Sequence, residues 1–296
     1  MDNQQQITDE FSNSFAKVLS NHGYGFQFSV LRKANELSKT GKSQFYFEAS
    51  EFPVKVQGVD TRIDFILKKK SGERAFLTNL YLIAECKKAN PALSNWCFVK
   101  APYTHRNVWS GSSNLIIETL LREEEDKSIH NLIKANYTSE NNYNLGFEMR
   151  TNQPGVANGE TGQAIERASS QILRGVNGFI ETITKQQNVW ANYFQIYFLP
   201  VIFTTANIFV SDIDLSLSNL QTGKIKLSKE QIQSVPWLFY QYPMSVGLKH
   251  SLISINESKD ISSLLVNDYI RTIAVVSATG IEDFFAKISF NFIDSY

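Results

Sequence analysis

The sequence predicts an α/β protein, because apolar residues follow a helical spacing in some stretches and a strand-like pattern in others. Two helical stretches come first, three strand-like runs follow, and a long helix precedes two further apolar runs. The chain has 296 residues, of which 43% are hydrophobic, and can bury a sizeable core. This composition excludes intrinsic disorder, coiled coils and collagen-like chains.

The first third of the chain contains two predicted helices and three predicted strands. Apolar residues recur every three or four positions within residues 8–20 and again within residues 26–37, and Gly23 and Gly25 separate the two stretches. Three strand-like runs follow, divided by glycine-containing turns, at residues 44–56, 61–69 and 76–88.

The second half of the chain contains the strongest helical pattern. A stripe of apolar residues at spacings of three and four predicts a buried helix over residues 163–183. Apolar runs after it predict two consecutive strands, and a last strand and helix close the chain. These four elements fall at residues 193–204, 206–214, 272–277 and 280–288.

The pattern is weaker between these regions. Residues 114–123 form a short helical pattern inside a polar, Asn-rich segment, which we interpret as an insertion that faces the substrate. No linker is marked well enough to divide the chain. We therefore expect one elaborated domain over residues 1–296, composed of a core (about 23–100 and 159–210), an insertion (about 101–158) and a C-terminal extension (211–296).

Charge and composition limit the partners and the compartment. The 29 basic and 29 acidic residues balance, so a polyanion must meet a local basic patch or be presented by a partner. The N-terminus lacks the basic and apolar regions of a secretory signal, and polar residues interrupt the apolar stretch 193–210. Cys86 and Cys97 lack a metal-binding spacing. We expect a cytoplasmic protein without membrane contact.

Three charged residues on neighbouring predicted strands are the candidate catalytic group. The sequence lacks the glycine-rich phosphate loops and the zinc and hydrolase motifs that would indicate other chemistry. Glu85 and Lys87 share a strand face because side chains alternate along a strand. Asp64 can reach the same space if its strand pairs in the matching register.

These residue types suit metal-assisted hydrolysis of a phosphodiester. Asp64 and Glu85 repel each other unless a cation lies between them. Mg²⁺, or Mn²⁺, binds one or two carboxylates and keeps positions for water and phosphate oxygens, while Lys87 can orient the water. The alternative is a surface salt bridge from Glu85 to Lys87 or Lys88 on an exposed strand face, which the apolar neighbours of Glu85 disfavour.

The pattern resembles the PD-(D/E)xK nuclease superfamily over roughly residues 23–210. That superfamily has a core of helix, three strands, helix and strand, with Asp on the second strand and Glu-x-Lys on the third. Here the pattern is Asp64 and then Glu85-Cys86-Lys87, followed by the long helix and a strand. Ile63 stands where the family name has proline.

The resemblance implies a restriction-endonuclease-like αβββαβ core, with a mixed sheet flanked by helices. It also implies a Mg²⁺-dependent nuclease acting on DNA, with Asp64 and Glu85 as metal ligands and Lys87 as the water-orienting cation. Stand-alone nucleases of this kind in microbes resemble effectors of anti-phage or restriction systems.

Members of the superfamily often add an acid from the first helix and a Gln or basic residue from the later helix. The candidate acid is Glu36, with Glu48 and Glu51 on the first strand as competitors. Side chains on one face of the long helix form the second group, and residues after the Glu-x-Lys motif form a substrate-binding group. The helix candidates are Gln163, Arg167, Gln171 and Arg174, and the others are Lys88, Asn90, Trp96 and Arg106.

Two other functions remain open. The same fold could serve as a non-catalytic binding or scaffold module, or it could hydrolyse small nucleotides. The neutral net charge also favours a protein partner or a homo-oligomer that presents the substrate.

Overall fold

The computed structural model describes residues 9–71, 78–101, 115–122, 128–135, 142–149, 163–185, 195–248 and 269–288. Within these segments the chain is an α/β protein, in which helices flank a mixed, many-stranded sheet. The helices are α1 (Asp9–Asn21), α2 (Tyr24–Lys39), α3 (Gln163–Lys185) and α4 (Ile281–Lys287).

Thirteen described strands, β1 to β13, complete the fold. They are, in order, Tyr46–Val56, Val59–Ser71, Thr78–Lys87, Asn95–Val99, Leu115–Arg122, Ser128–Ala135, Asn142–Tyr143, Leu145–Met149, Gln195–Thr204, Asn207–Ser211, Gln233–Val235, Trp237–Pro243 and Ile270–Ser277.

The larger sheet has β3 and β9 at its centre. Its order is β1-β2-β3-β9-β13-β12-β7, and β5 pairs with both β9 and β6. The pairs β1-β2 and β2-β3 are antiparallel, whereas β3-β9 and β9-β13 are parallel. Every residue of β9 is buried, as expected for a strand with helices over both faces. The smaller sheet has the order β11-β10-β4-β8.

Two apolar layers cover the faces of the larger sheet. On one face α3 packs against side chains that include Ile63, Tyr81 and Ile83. On the other face α2 and α4 pack against a set that includes Phe65 and Leu82. The alternation of neighbouring β3 residues between the two clusters shows that this strand is regular and central.

Most elements predicted from periodicity are confirmed, and one is wrong. The helical pattern at residues 114–123 is a strand, β5, which pairs with Phe198 and neighbouring residues of β9. Leu115 and Ile117 lie in one apolar cluster and Leu120 lies in the other, so β5 buries both faces. Pairing with a central strand outweighed the local helical spacing.

None of the helices in the described segments combines the length and the apolar content that a membrane crossing requires.

Close packing of α3 on β1 fixes the helix that faces the candidate catalytic residues. A Cβ atom at Gly178 would lie 2.7 Å from Cβ of Val54 and 2.9 Å from Cγ2 of Val56. Because a Cβ atom cannot rotate away from its backbone, α3 would have to move. Glycine at position 178 therefore permits the observed approach of helix and sheet.

We expect overpacking in Gly178→Ala to destabilise the protein by about 1–3 kcal/mol. The higher helix propensity of alanine offsets about 1 kcal/mol of this loss. Gly25→Ala in α2 is the matched control, because no atom lies within 4 Å of its new Cβ. Urea denaturation of both variants measures the difference. Equal stabilities for the two variants would contradict the close approach.

Candidate active site

Asp64 and Glu51 lie where two strands interrupt their regular alternation. In β2, Ile63 and Ile66 both face α3 although they are three residues apart, and in β1 Ala49 and Phe52 do the same. Regular strands place residues two apart on one face. The interruption therefore falls on Glu51 in β1 and on the region of Asp64 in β2. Glu51 has φ of 51°, in the left-handed region that side chains other than glycine rarely adopt.

Asp64 binds the neighbouring strand through its side chain. The last pair of the β2-β3 ladder toward this end is Phe65 with Ala84, which leaves Asp64 level with Glu85. Oδ2 of Asp64 accepts a hydrogen bond of 2.6 Å from the backbone N–H of Cys86. The carboxylate therefore lies beside β3, next to Glu85 and Lys87, in the register that the sequence pattern required.

Glu85 and Lys87 share the α3 face of β3 and form a close ion pair. Nζ of Lys87 lies 2.6 Å from Oε1 of Glu85, whose side chain is only 3% exposed. The same Nζ donates a hydrogen bond of 3.1 Å to Oε1 of Gln171 on α3. Gln171 thus holds the ammonium group from the helix side while Glu85 holds it from the strand side.

Glu51 completes an acidic cluster, and Gln27 supports it. Nε2 of Gln27, on α2, donates to Oε1 of Glu51 at 2.7 Å and to the backbone carbonyl of Asp64 at 2.9 Å. Gln27 is buried and occupies the apolar stripe that continues with Val30 and Ala34. Gln27 was not among the residues predicted from the sequence, although a polar residue at the head of an apolar helical stripe was a detectable signal.

Burial and mutual repulsion raise the pKa values of the two central carboxyls. The pKa of Glu85 is raised from its ordinary 4.5 to about 7, first by burial and then by the charges of Asp64 and Glu51, against the opposing effect of Lys87. The pKa of Asp64 is also raised, although the Cys86 amide and Lys87 oppose the effect. A single nearby ammonium group does not offset this concentration of negative charge.

Asp64 and Glu85 are the two carboxylates of this group that could hold a cation. Within the described part of the chain, no hydrogen bond reaches Oδ1 of Asp64 or Oε2 of Glu85, so both oxygens can still bind a cation. No group of three or more His, Cys, Asp or Glu side chains in the described segments is arranged to hold a metal ion. Mg²⁺ commonly uses one or two carboxylates and fills its remaining positions with water and phosphate oxygens.

The other acidic and helical candidates lie outside this cluster. Glu36 is exposed and pairs with Arg32 at 3.8 Å on its own helix, so the helix acid expected at the site is absent from it. Gln163 and Arg167 are exposed and hydrogen bonded to each other at 3.2 Å. Of the four candidates on the long helix, the structure brings Gln171 into contact with Lys87, and Arg174 is exposed elsewhere on the helix.

The substrate-binding candidates have structural contacts or lie outside the described residues. Nζ of Lys88 donates to the Ser20 carbonyl at 2.5 Å. Asn90 caps a short turn by accepting from the amide of Ala92. Trp96, on β4, is only 1% exposed, because it belongs to an apolar cluster that includes residues of both sheets. The expectation that its indole stacks on a base is therefore wrong. Arg106 lies outside the described residues.

Comparisons with protein-family models, with curated proteins and with solved structures found no match to this chain. Any functional assignment therefore rests on the geometry of the candidate active site, which is the group Asp64, Glu85, Lys87, Gln171, Glu51 and Gln27.

The raised pKa of Glu85 predicts that stability falls as pH rises from about 4.5 to about 7. In this window the unfolded chain loses the Glu85 proton before the folded protein does, so deprotonation favours unfolding. In EDTA, we expect a loss on the order of 3 kcal/mol across the window. Urea denaturation at several pH values measures it.

Glu85→Gln should remove most of this pH dependence, whereas the exposed Glu36→Gln variant should keep it. If the stability of Glu85→Gln changed with pH as steeply as that of the wild type, the raised pKa of the buried Glu85 carboxyl would be contradicted.

Proposed function

We propose that this chain is a Mg²⁺-dependent nuclease that hydrolyses phosphodiester bonds in DNA, built on a restriction-endonuclease-like core. The observation that supports the proposal most is the convergence of Asp64, Glu85 and Lys87 at one end of β3. Two carboxylates and an ammonium group on adjacent strands suit cleavage of a phosphodiester by water.

The order of elements supports the proposed core. The chain passes through α2, β1, β2, β3, α3 and β9, which is a helix, three strands, a helix and a strand. Asp64 lies on the second of these strands, and Glu85 and Lys87 lie on the third. The long segment between β3 and α3 contributes β4 to β8 and leaves the central order intact.

Asp64 and Glu85 would hold the metal ion through their available oxygens. When bound, Mg²⁺ would lower the pKa of a bound water and neutralise charge on the phosphate. Glu85 must lose its proton to act as a ligand, and its raised pKa makes that loss dependent on pH near neutrality.

Lys87 would orient the attacking water and stabilise negative charge on the phosphate. Its Nζ is fixed by Glu85 on one side and by Gln171 on the other. Its side chain is 28% exposed, so the ammonium group remains accessible from solvent. Gln171 is a positioning residue, because it acts on the substrate through Lys87.

A binding or scaffold module would not require this arrangement. Burying carboxylates costs folding free energy, and one ion pair rarely recovers that cost. Asp64 and Glu85 both carry raised pKa values from burial, which is typical of catalytic groups.

We further propose a cytoplasmic, anti-phage or restriction role, with the substrate presented by a protein partner or by a second copy of the chain.

We expect Mg²⁺ or Mn²⁺ to raise the melting temperature of the wild-type protein but not of Asp64→Asn. The asparagine keeps an acceptor for the Cys86 amide and removes the charge. A metal concentration of one hundred times Kd stabilises the folded state by about 2.7 kcal/mol. Differential scanning fluorimetry measures the shift.

Asp60→Asn is the control, because Asp60 lies on the same strand with its side chain 86% exposed. It should respond to metal as the wild type does. A metal response that survives in Asp64→Asn would exclude Asp64 as a ligand.

We expect the wild-type protein to cleave DNA in Mg²⁺ or Mn²⁺ and Lys87→Gln to be slower by about 100-fold or more, the usual cost of removing a group that stabilises developing charge. Plasmid, linear duplex, single-stranded DNA, RNA and a chromogenic phosphodiester are the substrates. Lys185→Gln, at the exposed end of α3, is the charge-matched control.

Equal rates for wild type and Lys87→Gln would exclude the role given to Lys87. Cleavage of the chromogenic diester without cleavage of any nucleic acid would instead identify a hydrolase of small phosphoesters.

A further inference from the structure

An open groove of about 570 Å³ adjoins the candidate active site. Glu51 forms part of its wall, so a molecule in the groove would lie beside the acidic cluster. Its other lining residues come from the α1–α2 region and from β2. The lining residues are Leu19, Tyr24, Gly25, Phe28, Glu51 and Arg62.

Two aromatic side chains form the apolar part of this groove. Tyr24 and Phe28 are one helical turn apart on α2 and therefore lie on the same side of the helix. They are 51% and 54% exposed, whereas Val30 and Ala34 on the same helix are buried. Exposed aromatic side chains grouped in a groove are typical of binding surfaces.

Arg62 supplies positive charge at the same groove. Its side chain is 71% exposed, and its Nη1 lies 4.0 Å from Oε2 of Glu51. This distance and exposure leave the guanidinium able to bind a phosphate oxygen in addition. Arginine binds phosphate through several N–H groups, and aromatic rings stack on bases of any sequence.

We propose that this groove binds an unpaired nucleotide of the substrate strand, with its base against Tyr24 and Phe28 and its phosphate at Arg62. The inference rests on the proposed function and specifies its substrate class. The enzyme would then favour single-stranded DNA, or single-stranded segments next to a duplex, because a paired base does not expose its flat face for stacking.

The charge of the groove favours a nucleotide over an apolar partner. A second copy or a hydrophobic peptide packed on Tyr24 and Phe28 would remove water from Arg62 and Glu51 without pairing the guanidinium better. Uncompensated desolvation of charged groups is costly. A nucleotide would place its base on the aromatic half of the groove and its phosphate at Arg62, and Gln27 links the Glu51 of the groove wall to Asp64.

Binding can be tested separately from cleavage. Fluorescence anisotropy with a labelled oligo-dT and with a duplex of the same length, both in EDTA, gives dissociation constants for the wild type and each variant. We expect tighter binding to oligo-dT than to the duplex. Tyr24→Ala and Phe28→Ala should each weaken oligo-dT binding by about fivefold to a hundredfold, the usual range for a lost stacking contact.

Two further variants control for structure. Tyr24→Phe should retain the wild-type affinity, because its ring still stacks. Phe15→Ala on α1 removes a ring that is 56% exposed and outside the groove lining, and it should also retain wild-type affinity. Melting temperatures of all variants are expected to match the wild type, because the altered side chains are exposed.

Any one of several results would overturn the inference. These are equal or tighter binding to the duplex, unchanged affinity in both Tyr24→Ala and Phe28→Ala, and conversion of a dimer to a monomer by these variants in sedimentation, which would identify the groove as a contact between copies. Metal-dependent duplex cleavage that is unaffected by Tyr24→Ala would reject the groove and retain the nuclease. If oligo-dT binds as expected but neither the wild type nor any variant cleaves DNA, the groove would be retained and the nuclease rejected.

Discussion

Burial of Asp64 and Glu85 beside Lys87 is the interaction on which this region of the structure depends. Two carboxylates lie beside one ammonium group at the end of a central strand, and burial raises the pKa of both carboxyls. The surrounding chain is organised to limit the cost of that arrangement. The Cys86 amide binds one carboxylate, Lys87 binds the other, and Gln171 orients the lysine.

The two helical layers reach this end of the sheet from opposite sides. Gln171 comes from α3, which covers one face, and Gln27 comes from α2, which packs with the other. Gln27 contacts both Glu51 and the backbone carbonyl of Asp64, at the point where β1 and β2 interrupt their alternation. The irregular backbone, including φ of 51° at Glu51, therefore brings together groups that a regular sheet would keep apart.

Periodicity predicted the elements of the core and the shared face of Glu85 and Lys87, because both depend on local repeats. The position of Asp64 depended on the pairing register, which the sequence could state only as a condition. Choosing Glu51 over Glu36 was beyond local reasoning, because the position of Glu51 beside Asp64 depends on the pairing of β1 with β2. The strand at residues 115–122 was mistaken for a helix for a related reason, since its partner in β9 is distant in sequence. Trp96 shows the same limit, because the burial of its side chain depends on β10 and β8, which pair with β4 on its two sides and are distant in sequence.

Cys86 lies between Glu85 and Lys87, yet its thiol faces the other side of the sheet, among the apolar residues packed by α2. Burial, together with the two nearby carboxylates, raises its pKa well above the usual range and keeps sulfur in the neutral form. Thiolate is the form that binds soft metals such as Cu(I) and Zn²⁺. Strand alternation therefore separates the carboxylate oxygens of Asp64 and Glu85 from the adjacent sulfur, so the proposed metal ion would meet oxygen donors from these strands and not the thiol.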